Sequence, residues 1–365
     1  MSHRLLAVRL DNAGDVLLLG PALRAAANGS DEVVLLVSPQ GEDAARLLPG
    51  VDDVIVWTCP WIDASPPPVT SADVDAVISG VRSRNFDKAL VFSSFHQSAL
   101  PTALVLRLAG ISWVGAISVD YPGSLLDLRH LVDDDLPEPE RARSLAEAAG
   151  FSLPAGDDGA LRVLPDLPPV GHLVETGPYV VLHPGTSVPA RAWPVERFAE
   201  CCAQLTDRGR HVVVTGAASE RELTERVAGA GSAVDLGGAT SMAELASVLA
   251  GAEAVVVGNT GPAHLAAAVG TPVVSLFAPT VPAARWAPYG VPSVLLGDQH
   301  AACRDSRASR CPIPGHPCLS NVTAPDVVAA VETLTAETTA ATRCGESRET
   351  RGSRGRLGSW KEMAR

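Results

Sequence analysis

At 365 residues the chain exceeds what one hydrophobic core organises, and 46% hydrophobic against 19% charged residues excludes a mainly disordered protein. The net charge is −12, divided as about −10 over residues 1–165 (22 acidic, 12 basic) and −5 over 166–336 (15 acidic, 10 basic). Neither part has the basic surplus of a nucleic-acid binder, and a strongly anionic membrane surface would repel both. Lys88 and Lys361 are the only lysines, so a site that needs a cation must use arginine almost everywhere.

From the N-terminus, Leu5–Leu10 reads as a strand, without the charged, apolar and cleavage regions of a signal peptide in order. Further strands are expected at Val33–Val37, Val54–Trp57, Ala89–Phe95, Val180–His183, His211–Thr215, Ala254–Val257 and Val273–Phe277. Nearly continuous apolar strands indicate burial on both faces, hence parallel sheets covered by helices. Amphipathic helices are expected at Val195–Arg208, Glu220–Ala230 and Met242–Leu249, which gives a β-α-β pattern twice over. Residues 152–178, dense in Pro, Gly and Asp, read as the connection between the two halves, and the segment after about 336 reads as a disordered tail. The domains are therefore expected at 1–165 and 166–336, with a tail at 337–365. The best membrane-span candidate, 262–279, is broken by His264, Gly270, Pro272 and Pro279. Seven cysteines, an odd number scattered through a long chain, suit a reducing compartment, and a cytoplasmic protein is expected.

Two doubly wound domains facing each other bind ligands at the carboxyl ends of their strands, so three strand-to-helix loops carry the chemistry. The first, Asp11-Asn12-Ala13-Gly14-Asp15, enters the apolar helix VLLLGPALRAAA. Asp15 there is either a helix-capping carboxylate or a general base in the cleft. The second runs from His183 to Pro194; Thr186 and Ser187 offer hydroxyls, Gly185 offers flexibility, and Arg191 stands just ahead of a helix. A phosphate-holding loop needs these groups, although turn chemistry alone could produce much of the pattern. The third is Gly258-Asn259-Thr260-Gly261-Pro262-Ala263-His264, whose glycine and helix start can bring free N–H groups to a diphosphate. A lone histidine such as His264 is more often a core or cap residue, yet three such loops in two domains form a pattern. No dinucleotide fingerprint, P-loop, zinc-protease or serine-hydrolase motif is present in the sequence.

In order and spacing these segments resemble glycosyltransferase family 9, the heptosyltransferase family. The resemblance covers roughly residues 4 to 334 and rests on RLDNAGDVLLLGPALRA, VVLHPGTSVPARAWPVERFAE, VVVTGAASERELTERV and TSMAELASVLAGAEAVVVGNTGPAHLAAAVGTPVVSLFAP. It implies an α/β GT-B fold, with two facing Rossmann-like domains, acceptor on the first and sugar nucleotide on the second. It further implies an inverting, metal-independent transfer to a saccharide or glycolipid hydroxyl, the donor being ADP-heptose or a related nucleoside-diphosphate sugar. By the same resemblance Asp15 is the base, beside the acceptor-side residues Asn12, Ala13 and Gly14. Thr186, Ser187, Arg191, Asn259, Thr260, Gly261 and His264 hold the donor diphosphate and sugar. Glu220 or Glu222 meets the ribose, and Thr240 presents backbone to the base. Arg191 stands where the family carries lysine, and Asn259 where it carries aspartate; the second change removes a negative charge beside the donor.

Three rivals are set against this reading. One is a sugar-nucleotide-binding protein whose catalysis has weakened, suggested by Asn259; another is a UDP-sugar epimerase or hydrolase on a similar frame. A metal site at Cys303, Cys311 and Cys318 with His300 and His316 is the third, disfavoured because a close C-x(2–4)-C pair is missing. The expected partners are the donor and the acceptor, with no nucleic acid, no transmembrane segment but scope for peripheral membrane contact, and a monomeric state.

Overall fold

The computed structural model describes residues 3–63, 65–133 and 135–337; the expected tail beyond 337 lies outside the described residues. Among the described residues twelve strands form two six-stranded sheets, every adjacent pair parallel. The first sheet holds β1 (Arg4–Arg9), β2 (Glu32–Val37), β3 (Asp53–Val56), β4 (Lys88–Val91), β5 (Trp113–Ile117) and β6 (Leu128–His130), in the order β3-β2-β1-β4-β5-β6. The second holds β7 (Tyr179–His183), β8 (His211–Gly216), β9 (Val234–Gly237), β10 (Ala254–Gly258), β11 (Val273–Leu276) and β12 (Ser293–Leu296), in the order β12-β11-β10-β7-β8-β9. Each is the doubly wound order 3-2-1-4-5-6 counted within its own half, so the order in which strands are added reverses between β1 and β4 and again between β7 and β10.

The central strands form because both of their faces can be covered. Leu5, Leu6, Val8 and Val33 to Val37 are almost wholly buried, as are Val180 to Leu182 and Val255 to Val257. Burial of each such side chain contributes about 1.5–3 kcal/mol, enough for an apolar run to override weak local propensity. Four strands lie beyond the eight expected: β5, interrupted by Gly115, and β6, β9 and β12, which lie at sheet edges and are only partly buried, so that the continuous apolar signature is lost.

Two expected elements are cut short. β4 ends at Val91 rather than Phe95: Phe92 N–H donates to Val8 O, after which Ser93–Gln97 turn away. The apolar helix after β1 is two helices, Ala13–Leu17 and Gly20–Ala27, because Pro21 has no N–H to continue the ladder from Leu17.

The stretch from 152 to 178 has no regular element but is firmly packed. Arg24 donates to both carboxylate oxygens of Asp157 at 2.6 and 2.9 Å, Leu164 N–H reaches Leu47 O at 2.8 Å, and Ser247 Oγ reaches Pro168 O at 2.7 Å. One hydrophobic cluster runs from Leu17 and Leu23 of the first half through to Val255, Ala263 and Leu265 of the second. No helix among the described residues is long and apolar enough to cross a membrane.

Candidate active site

A cavity of about 300 Å³ lies between the two sheets, walled by the loops after β1, β4, β7 and β10. These are the four strands that flank the two reversals of strand order, where loops splay apart and leave room for a ligand.

The first wall carries Asp11, Asn12, Gly14 and Asp15, with Ser94, His96 and Gln97 from the loop after β4. Asp15 is the third residue of its helix, and the N-cap Asn12 makes no side-chain cap. The Asp15 carboxylate accepts from Arg9 Nη2 at 2.9 Å. Arg9, the last residue of β1, is buried; its Nε lies 2.8 Å from Asp11 and its Nη1 3.5 Å from Glu138. Burial pushes the Asp15 carboxyl up to about 6 against the pull of Arg9, and the charges of Asp11 and Glu138 push the same way. A carboxylate near 6 is ionised at neutral pH and basic enough to accept a proton.

The second wall carries Ser187, Val188 and Arg191 after β7, with Asn259, Thr260, Gly261 and His264 after β10. Trp193 anchors the first of these loops: its ring meets Phe198 edge-on at 4.7 Å and its Nε1 donates to Val322 O at 3.1 Å. Arg191 then reaches across to Asn259 O at 3.4 Å. Burial lowers the Arg191 guanidinium from its ordinary value while the Asp15 charge opposes that shift, and Arg307 adds to it. Thr260 caps the helix Gly261–Ala268 without using its hydroxyl, and Pro262 occupies the first turn. His264, buried and close to Arg191, is pushed down to about 4 and is neutral at pH 7.

This wall holds a set of buried polar atoms without hydrogen-bond partners: Arg191 Nε, Asn259 Nδ2 and Oδ1, Thr260 Oγ1 and His264 Nδ1. An unsatisfied buried polar atom costs about 1–3 kcal/mol, so such a convergence calls for partners that a polar ligand or ordered water can supply.

The remaining expected residues are placed unevenly. Thr186 Oγ1 accepts from Val188 N–H at 3.2 Å and shapes the loop from outside the cavity lining, as Ala13 does in its helix. Glu220 lies over Gly185, where an added Cβ would collide with its carboxylate, and it accepts from Ala217 N–H at 2.8 Å. Glu222 is exposed on the helix Arg221–Ala228, and Thr240 is half-buried just before the capping residue Ser241. Glu220 and Thr240 thus stand at the carboxyl ends of β8 and β9, progressively farther from the cavity along the same sheet edge.

Sequence reasoning missed Arg9, Glu138 and the segments that supply Trp286 and Arg307 to the cavity. Phe95 links these segments to the first half: the Arg285 guanidinium lies 4.1 Å from the centre of its ring and Trp286 5.4 Å. Cys303 and Cys318 are buried in the core with Leu319, Cys311 donates to Ile313 O, and no group of three potential ligands is gathered among the described residues.

The family model for glycosyltransferase family 9 (heptosyltransferase) matches residues 74–315, more than half of the chain. Lipopolysaccharide heptosyltransferase 1 of Pseudomonas aeruginosa is 39% identical over 163 residues, 43% of this chain and 44% of that protein, so the match spans less than half of that relative. Lipopolysaccharide heptosyltransferase 1 of Escherichia coli K12 is 28% identical over 298 residues, 76% of this chain and 89% of that protein. The E. coli heptosyltransferase WaaC, solved with ADP-2-deoxy-2-fluoro heptose, superposes with a TM-score of 0.68 at 25% identity, covering 90% of this chain and 99% of that one. The paired parallel sheets are the GT-B architecture.

Proposed function

Because the chain belongs to glycosyltransferase family 9, we propose that it moves a sugar, a heptose, from a nucleoside-diphosphate donor of the ADP-heptose type to a hydroxyl of a saccharide or glycolipid acceptor, with inversion. The reaction serves a cytoplasmic step in building a cell-surface glycan such as a lipopolysaccharide core. One observation carries this reading: a carboxyl raised to about 6 faces, across one cavity, a cation and a cluster of buried polar atoms that lack partners.

In this reading the acceptor binds along the first wall, with a hydroxyl against Asp15. Asp15 takes the hydroxyl proton as the acceptor oxygen forms a bond to the anomeric carbon, and the bond from that carbon to the diphosphate oxygen breaks on the opposite face. The nucleoside diphosphate leaves with the bonding pair. Its growing charge is met by Arg191, by the Thr260 hydroxyl and by the free N–H groups that open the helix Gly261–Ala268. Ser187 and neutral His264 supply further hydrogen bonds, and Thr186 shapes the loop. Arg191 provides the positive charge at the leaving group, which is the metal-independent form of the reaction. The nucleoside extends along the carboxyl ends of β8 and β9, past Glu220 and Glu222 to Thr240.

Family relatives define the first assay: the purified chain is given ADP-heptose with a heptose-accepting saccharide, and ADP release and product anomeric configuration are followed. Asp15→Asn is expected to lower kcat by about 10²–10⁴-fold while ADP binding persists. Undiminished turnover in that variant would remove Asp15 as base, and product of retained configuration would remove the single-displacement scheme.

A further inference from the structure

The first wall contains more charge than a lone base requires. Arg9 is held between three carboxylates, Asp11, Asp15 and Glu138. Glu138 opens the helix Glu138–Ala148, 123 residues beyond Asp15 in the sequence, and its side chain is only 3% exposed. It lies 3.5 Å from Arg9 and 3.5 Å from Arg141, which also donates to Ser93 O at 2.7 Å. Arg9 additionally donates to Ser94 Oγ at 3.0 Å, and Gln97 Nε2 donates to Asp11 at 2.6 Å. A buried ionised carboxylate is retained only when its desolvation is offset, and here Arg9 serves three carboxylates, with Arg141 beside one of them, Glu138. Glu138 does not line the cavity, so ligand binding does not account for it.

We propose that Arg9 and Glu138 are positioning residues for Asp15: Arg9 fixes the carboxylate by the Nη2–Oδ1 hydrogen bond, and Glu138, behind it, counters enough of the Arg9 charge to leave Asp15 basic. This rests on the reading of Asp15 as the base. Without Glu138 more of the guanidinium charge would act on Asp15 and favour its ionised form, weakening it as a proton acceptor. Without the hydrogen bond from Arg9, the carboxylate would be both less oriented and harder to ionise. The other groups facing this corner are Asp11 and His96 on the first wall and Arg191 and His264 on the second.

The two residues therefore act in opposite directions, which a merely structural role would not reproduce. In Glu138→Gln the Asp15 titration and the acid limb of the kcat/KM profile are expected to move down by about 0.5–1 pH unit. In Arg9→Lys the ammonium stops one bond short of the Nη2 position; the limb is expected to move up by about 0.5–1 unit and kcat to fall. The assay is a ¹³C carboxyl NMR titration of the full chain without ligand, paired with the pH dependence of transfer. Limbs that stay in place while kcat falls would overturn the proposal. So would a wild-type Asp15 that titrates near the ordinary aspartate value of about 4, a measurement that needs no variant to fold. Because the titration reads Asp15 without turnover, shifts in an inactive protein would refute the transferase reading alone; an active enzyme with unmoved titrations would refute only the positioning roles.

Discussion

Replacing Gly14 with alanine tests how the two walls meet. An added Cβ at Gly14 would stand 2.9 Å from Gly261 Cα and 3.2 Å from His264 Cδ2, whereas carbon atoms pack at about 3.5–4.0 Å. The obstruction is backbone, so relief requires one helix start to move by about 0.6 Å relative to the other to regain that spacing. Overpacking of this kind costs about 1–3 kcal/mol, while alanine in a helix returns at most about 1 kcal/mol to the first half itself. Unfolding of that half should therefore change little. The arrangement that places Asp15 beside Thr260 should lose population by about 5- to 150-fold, the equivalent of 1–3 kcal/mol. Transfer rates and calorimetric ADP binding separate the effects: kcat should fall within that range, and ADP affinity should change by less than about 3-fold, under 1 kcal/mol, because its groups lie on the second wall. Wild-type kcat in Gly14→Ala would refute this contact in the productive state. An equal loss of ADP affinity would show that the change distorts the donor loop instead. The reciprocal change is a control for stability, since a Cβ on Gly261 would meet Gly14 only at 3.4 Å and beyond, and Gly261→Ala should fold as well as the wild type.

Arg191→Ala should weaken ADP binding by about 10- to 150-fold, from the loss of a charged hydrogen-bonding group worth about 1.5–3 kcal/mol; unchanged affinity by calorimetry would remove Arg191 from the diphosphate site. Asp157→Asn should lower stability by about 1–3 kcal/mol, because Arg24 loses a buried carboxylate partner. The Arg24 hydrogen bond holds Asp157 down to about 2, so its stabilisation is complete above the unfolded value near about 4 and lost as pH falls through about 2. The difference between wild type and variant in urea titrations should therefore be constant from about pH 7 to 5 and shrink below about 4; a gap that persisted at about pH 2 would contradict the assignment.

What the sequence disclosed depended on whether chemistry and chain proximity coincided. The loops after β1, β7 and β10 each carry their functional groups within a dozen residues of an apolar strand, and all three reach the cavity. Arg9 was visible in RLDNAGD, but a cation at the end of a strand ordinarily reaches solvent; its burial depends on Glu138 and Ser94 arriving from two distant segments, beside Asp11 of its own loop. Glu138 sits in the run PEPERARS, which reads as the solvated start of a helix. The apolar run ALVF extended the expected β4 into Ser93–Phe95, whereas those residues leave the sheet toward the cavity and the Arg285–Phe95 contact. Glu222 and Thr240 were reached by resemblance alone, and neither lines the cavity.

The charge imbalance of the whole chain takes on a direction at the site. On the first wall Asp11, Asp15 and Glu138 outnumber Arg9 and Arg141; the second presents Arg191 and Arg307 to the cavity with a neutral His264. In the proposed reaction this polarity favours protons collecting on the first wall while negative charge gathers on the second. Asn259 strengthens it. A carboxylate there would oppose Arg191, an interaction of about 4 kcal/mol for unit charges 4 Å apart at an effective dielectric of 20. The amide leaves the Arg191 charge for the leaving group. It also changes what the donor must offer: a carboxylate only accepts, whereas both Nδ2 and Oδ1 of Asn259 lack partners, one a donor and one an acceptor. In the proposed reaction a donor that presents a hydroxyl beside an acceptor oxygen would satisfy both atoms, and Asn259 would then select on the local pattern of the donor and not on its charge alone.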